Sequence, residues 1–180
     1  MDEQAKRVID IIIDNEVIHK DGRIISYVND KDDPGGETNW GISKRQYPNL
    51  IIDKLTRQDA EDIYFADYYS KLRCQLMDFN VALSICDFGV NAGIETSARA
   101  LQLVINRLGN FNLVLDGKIG SKTIEAIKTI KNIGTTNYML LMFTDFKKRF
   151  YKSIRVGRKY KYLITDLNRT DKIQDMIDAT

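Results

Sequence analysis

This sequence lacks much of what usually points to a function. It has a single histidine, His19, and two cysteines, Cys74 and Cys86, which stand apart without metal-ligand spacing. No metal site of the zinc kind can be built from such a set, and no cofactor is expected. Two cysteines in helical, apolar surroundings make no disulfide framework either, and they read as buried free thiols. A run of ~20 apolar residues that could span a bilayer is absent. The opening residues, Met-Asp-Glu-Gln-Ala-Lys-Arg, are acidic and the apolar run after them is interrupted. No secretory signal is therefore expected, and the chain is expected to be made and folded in a cytoplasm. The Gly-Lys pair at 117–118 does not complete the spacing of a phosphate-binding loop. There is no internal repeat and no low-complexity linker.

What is present describes a globular protein. The 180 residues are 43% apolar and 29% charged, enough to bury a core in one domain or one domain with a small appended lobe. A formal net charge of +2 does not argue for nucleic acid, and no basic motif interleaved with aromatics is found. Charge is uneven, however. The first forty residues are acid-rich, whereas Lys147 to Lys161 is strongly basic. That run reads first as a solvated helix face, and second as an attraction toward an anionic polymer such as a cell wall.

The pattern along the chain is mainly α. Gln4 to Asn15 places Val8, Ile9, Ile11, Ile12 and Ile13 on an apolar helical face. Glu16 follows at the C-terminal turn, where the helix dipole disfavours a second negative charge and tends to raise a carboxyl pKa. A general acid working near neutral pH needs such a shift. Residues 17–28 then read as a β-hairpin around Asp21-Gly22, a pair suited to a type I′ turn. The polar segment Asn29 to Thr38 contains Asp33-Pro34-Gly35-Gly36, a turn in which proline fixes φ and glycine permits close backbone approach. A hairpin leaving the helix end would fold this acidic segment back toward Glu16.

From Thr56 onward the expectation is helix. Thr56 to Asp59 forms a capping box with Asp in place of Glu, and Tyr64 and Tyr68 are expected to share a helix face. Such a stripe is more often packing than binding. Phe79 to Asn91 is apolar nearly all round, the mark of a central buried helix. Asp87 and Asn91 interrupt it four residues apart, and either brace the fold or point into a cleft. Gly93 ends that helix, another spans 94–108, Ser121 is expected to cap the next, and a long helix is expected from Thr136 to Ile154. Trp40, the sole tryptophan, is by itself read as a core anchor in preference to a sugar-stacking platform.

One continuous stretch resembles a known family. Tyr27-Val28-Asn29-Asp30-Lys31-Asp32-Asp33-Pro34-Gly35-Gly36-Glu37-Thr38-Asn39-Trp40-Gly41-Ile42-Ser43 is similar to the signature of glycoside hydrolase family 108. These are N-acetylmuramidases of phage endolysins and of some secretion-associated bacterial wall hydrolases. Ile63-Tyr64, Tyr68-Tyr69, Asp87-Phe88-Gly89-Val90-Asn91-Ala92-Gly93 and Ala100-Leu101-Gln102 follow the family's order. Leu115 to Gly120 resembles part of its C-terminal peptidoglycan-binding region. The resemblance implies a lysozyme-like fold, with a helical core and a small β-hairpin subdomain near the N-terminus. It further implies a catalytic region over residues 1–93 and a helical C-terminal region over 94–180, packed as one globule.

The sequence departs from the family at the catalytic position. Members carry Glu-Gly-Gly directly before the Tyr-Val-Asn-Asp element, and that Glu is the proton donor. Here Arg23-Ile24-Ile25-Ser26 precedes Tyr27, so the nearest helix-ending acid is Glu16, and the ten residues Val17 to Ser26 stand in place of Gly-Gly, a net insertion of eight. Phage-type lysozymes of another family also set a helix-ending Glu before a β-hairpin, an analogy of arrangement only. Without the resemblance, Glu16 is an ordinary solvated helix-end carboxylate; with it, Glu16 becomes the general acid. The second carboxylate is then Asp33, followed by Asp32 and Asp30, held roughly 6.5–9.5 Å from the acid in an inverting enzyme or roughly 5–5.5 Å in a retaining one. Thr38 would position water, and Asp32, Trp40, Tyr64, Tyr68 and Asn91 would line the sugar groove.

What this implies is hydrolysis of the β-1,4 bond between N-acetylmuramic acid and N-acetylglucosamine by a monomer acting on peptidoglycan strands. It implies a phage endolysin made in the host cytoplasm, released by a holin and active in the periplasm, with no membrane insertion and no nucleic-acid partner. Lytic transglycosylation, or wall binding without catalysis, are the alternatives on the same fold.

Overall fold

The computed structural model describes residues 1–29, 36–155 and 162–179. They fall into two compact units, residues 1–67 and 68–180.

In the first unit, α1 (Glu3–Glu16) begins where the Asp2 carboxylate accepts the Ala5 amide at 2.7 Å, a side-chain cap on an otherwise orphan donor. Its apolar stripe is fully buried: Val8, Ile9, Ile12 and Ile13 are each 0% exposed. Each such side chain contributes about 1.5–3 kcal/mol by burial. The helix stops when Val17 turns to extended backbone, leaving Glu16 as the last helical residue, half-buried. β1 (Ile18–Lys20) and β2 (Arg23–Ile25) pair antiparallel, Ile18 opposite Ile25 and Lys20 opposite Arg23. Asp21 and Gly22 take φ of 51° and 72°, the two left-handed residues that a type I′ turn demands. β3 (Tyr27–Val28), β4 (Thr38–Asn39) and β5 (Ile42–Ser43) form a second antiparallel sheet in that order. After a 3-10 turn at Ile52–Lys54 comes α2 (Arg57–Tyr64), opened by a complete capping box between Thr56 and Asp59. A π-helical turn, Phe65–Tyr69, follows it. The wider π turn breaks the four-residue period, so Tyr64 and Tyr68 do not continue one α-helical face.

The second unit is helical: α3 (Phe79–Ala92), α4 (Ile94–Arg107), α5 (Ser121–Asn132), α6 (Thr136–Ile154) and α7 (Leu163–Asp178). As its apolar sequence requires, α3 is central. Phe88 makes edge-to-face contacts with Phe143, Phe146, Phe150 and Tyr151 of α6, at centroid separations of 5.3–6.3 Å. The Ser97 hydroxyl donates to Ile85 O at 2.7 Å, fastening α4 to α3. Cys74 and Cys86 are buried thiols, and the hydrogen bond with Cys74, together with burial, pushes the Cys86 thiol well up. The loop before α5 is held from α4. The Gln102 amide donates to Asp116 and to Lys118 O and accepts from the Gly117 amide. No described helix is long and apolar enough to cross a membrane.

Two expectations need correcting here. Gly120, not Ser121, is the N-cap residue of α5, and Ser121 is the first helical position, so the helix begins one residue earlier than expected. More consequentially, Lys147 is not on a solvated face: it is 0% exposed. It lies one turn from Phe143 and one turn from Tyr151, both buried, so the α6 period carries it inward with them. Residues 156–161 of the basic run lie outside the described residues.

Candidate active site

Glu16 meets the signature loop through Gly41. β4 and β5 are joined by a two-residue turn, Trp40-Gly41, in which both residues have positive φ, 52° and 81°. A left-handed tryptophan is unusual and costs on the order of 1 kcal/mol. The structure holds it from several sides. The Trp40 amide donates to Ser26 O at 3.0 Å, its indole N–H donates to Leu55 O at 3.2 Å, and its own carbonyl accepts the Tyr64 hydroxyl at 3.2 Å. The guanidinium of Arg57 lies 5.8 Å from the centre of the Trp40 ring, within cation–π range.

This anchored turn brings backbone hard against the acid. A Cβ placed on Gly41 would lie 2.3 Å from the Tyr64 hydroxyl oxygen and 2.8 Å from both Cβ and Cγ of Glu16. Only glycine fits between them. The hairpin thus leaves the end of α1 while the Trp40-Gly41 turn returns to it beside Glu16.

A network of charges fixes the same region from beneath. Arg57 binds Asp10 at 2.8 Å, Asp14 at 3.1 Å and Glu61 at 3.2 Å, and Lys6 binds Asp10 at 2.6 Å. Burial opposes ionisation of Asp10, but hydrogen bonds from Lys6 and Arg57 outweigh it and hold the carboxyl below its usual range. The network ties α1 to α2, and Arg57 passes that restraint to Trp40.

Of the other anticipated residues, Thr38 lies in β4 opposite Val28 and Ser43, half-buried, and its hydroxyl has no hydrogen-bond partner among the described residues. Asp30, Asp32 and Asp33 lie outside the described residues. Tyr64 is 1% exposed and packs as an anchor of the loop, while Tyr68, 6% exposed, belongs to the second unit. Asn91, also in the second unit, is exposed and its amide donates to Asp87 O at 2.9 Å. Asp87 itself is buried and paired with Arg169 at 2.7 Å, so of its two readings the bracing one holds. Among the described residues no cluster of His, Cys, Asp and Glu is placed to hold a metal ion.

Three residues escaped sequence reasoning. Gly41 and Arg57 act through contacts made across distant parts of the chain. Asn39 is 4% exposed and its amide donates to both Ile52 O and Leu55 O, bracing the loop from within the signature. The Trp-Gly dipeptide was the available signal, since a glycine after a bulky residue often marks close backbone approach.

Comparison with known proteins gives a family match and a fold. Residues 15–93 match the family model described as Glycosyl hydrolase 108. The matched span opens one residue before Glu16 and includes the whole signature loop. No curated protein matches the chain. Among solved structures, SagA of Brucella abortus superposes with a TM-score of 0.77 at 21% identity, covering 97% of this chain and 94% of that one. At that identity the likeness shows the fold, which is mainly helical and lysozyme-like.

Proposed function

From the premise that residues 15–93 belong to the glycosyl hydrolase 108 family, we propose that this glycoside hydrolase is a muramidase. It cleaves the β-1,4 bond between N-acetylmuramic acid and N-acetylglucosamine in peptidoglycan. Glu16 is the general acid. Its carboxyl gives a proton to the glycosidic oxygen as the bond to the anomeric carbon breaks, and a water supplies hydroxide to that carbon. The proton from the water passes to the second carboxylate, for which Asp33 fits the family pattern best, with Asp32 and Asp30 after it. The Thr38 hydroxyl holds the water.

The observation that carries this reading is the packing of Gly41 against the Glu16 stem. It supports Glu16 as the residue in register with the family's proton donor, because the motif loop closes on it and on no acid of the inserted hairpin. The proposed setting is that of a phage endolysin: a monomer made in the host cytoplasm, released through a holin and acting on the wall from the periplasm.

Glu16→Gln tests the chemistry. The near-isosteric variant should release no reducing ends from purified peptidoglycan while keeping the parent's far-UV circular dichroism and a cooperative melt. Retained cleavage would remove Glu16 from the mechanism. Mass spectrometry of the parent's products should show reducing-end muropeptides; 1,6-anhydro ends would instead mean transglycosylation.

A further inference from the structure

The hairpin that replaces the family's Gly-Gly has no packing role that would explain it. Every residue of β1 and β2 is exposed, including Ile18 at 51%, Ile24 at 52% and Ile25 at 39%. Its register sets Lys20 directly opposite Arg23, so two cations face each other across the last pair before the turn. Like charges in that position oppose hairpin formation. Neither side chain has an ion-pair partner among the described residues. With Asp21 and Ile25 they line a cleft of about 490 Å³. A cation pair kept at a cost, unneutralised and beside an open cleft, fits an anionic ligand.

We propose that the tip of this hairpin is a carboxylate-binding site, formed by Lys20 and Arg23, for the stem peptides that hang from the muramic acid residues of the substrate. The proposal rests on the muramidase reading and adds to it a preference for peptide-bearing glycan. Chain geometry permits this. Val17 separates Glu16 from β1, and four residues of extended chain reach at most about 13 Å, so the tip stands within a few sugar units of the acid. The His19 ring contacts Asp14 O at 3.2 Å, holding the base of the hairpin to the end of α1. Arg23 offers a planar fork for a carboxylate and Lys20 a mobile point charge, while Ile18 and Ile25 on the same face offer apolar contact to the peptide's alanyl methyl groups. A charged tip argues against insertion of the hairpin into a lipid bilayer, where an apolar tip would be needed.

The test compares peptidoglycan sacculi with the same sacculi stripped of stem peptides by an amidase, reading the initial release of reducing ends. The parent should prefer intact sacculi. The exposed double variant Lys20→Ala/Arg23→Ala should lose about fivefold on intact sacculi at low salt and less than about twofold on stripped glycan, the scale expected of two exposed ion pairs. Added salt should erase the parent's preference, and Lys20→Arg/Arg23→Lys should retain it. Equal activity of the parent on both substrates, or equal loss by the double variant on both, would overturn the site while leaving the muramidase reading standing. Failure of the parent to cut either substrate would overturn that reading and the site with it.

Discussion

Gly41 lies against Glu16 so closely that a single added methyl would come within 2.8 Å of two carbons of the acid's side chain. The same methyl would meet the Tyr64 hydroxyl at 2.3 Å, and Tyr64 is 1% exposed with its hydroxyl bound to Trp40 O, so it has little room to retreat. Gly41→Ala is therefore expected to displace Glu16, Tyr64 or the turn. Two costs combine: a left-handed backbone that alanine resists, and the steric overlap. The variant should lose about 1–3 kcal/mol of stability and about a hundredfold in activity, as misplacing a catalytic group by about 1 Å does. Gly134→Ala separates the two, because Gly134 also has positive φ, 72°, but open space around its α-carbon. That variant should lose stability while keeping activity on peptidoglycan.

Arg57 joins three carboxylates on α1 and α2 to the ring of Trp40. Arg57→Ala should cost about 1.5–3 kcal/mol, the range for hydrogen bonds to charged groups, and Arg57→Lys should recover only part because ammonium lacks the planar fork. The effect should depend on pH in a particular direction. Asp10 is held below its usual range, so the stability it contributes is complete above the ordinary carboxylate pKa of ~3.9 and is lost as pH falls through the lower folded value. Trp40 fluorescence, which reports the first unit alone, should show the parent's melting temperature falling steeply below about pH 4. The same curve for Arg57→Ala should be shallower. Identical acid limbs would mean that Arg57 does not set the Asp10 ionisation.

Where the chemistry is local, the fold could be read from the chain. Asp21-Gly22 supplies the two left-handed residues of its turn, Thr56 and Asp59 cap α2 in both directions, and Gly93 ends α3 at φ 91°. These features depend on residues three or four apart. Of the site, the position of Glu16 at a helix end was legible in the same way, whereas Asp30 to Gly35 of the acidic segment lie outside the described residues. What could not be read depends on distant contacts. Gly41 closes on Glu16 across the whole inserted hairpin. Trp40 gives one face to a guanidinium from α2, which makes it an anchor for the loop. Lys147 reads as solvent-facing because lysine is rarely buried without a partner; its hydrogen-bond partner, Ser84, is 63 positions away.

That lysine carries the last prediction. Lys147 donates to Ser84 at 3.2 Å and lies 5.7 Å from the Phe143 ring centre. Burial disfavours its charge most, Arg169 and the neighbouring Lys148 act the same way, and together they outweigh the opposing attraction of Asp87, bringing its pKa down to about 8. A lysine whose folded pKa lies below its unfolded value destabilises the fold wherever the unfolded chain takes up the proton more readily. Stability of the second unit should therefore rise between pH 8 and about pH 10, by on the order of 2 kcal/mol. Above that range Tyr151 reverses the slope, since burial holds its phenol well above the usual value and the unfolded chain loses the proton first. Lys147→Met fills similar volume without the charge, so it should match or exceed the parent's stability at pH 7 and show no rise toward pH 10. Asp87→Ala should act in the opposite sense. It removes the carboxylate that binds Arg169 at 2.7 Å and leaves that half-buried guanidinium and the buried Lys147 without it, which should cost about 3–5 kcal/mol at pH 7. Denaturant melts followed by far-UV circular dichroism at pH 7 and pH 10 compare all three proteins. A Lys147→Met protein that keeps the alkaline rise would show that another group is responsible for it.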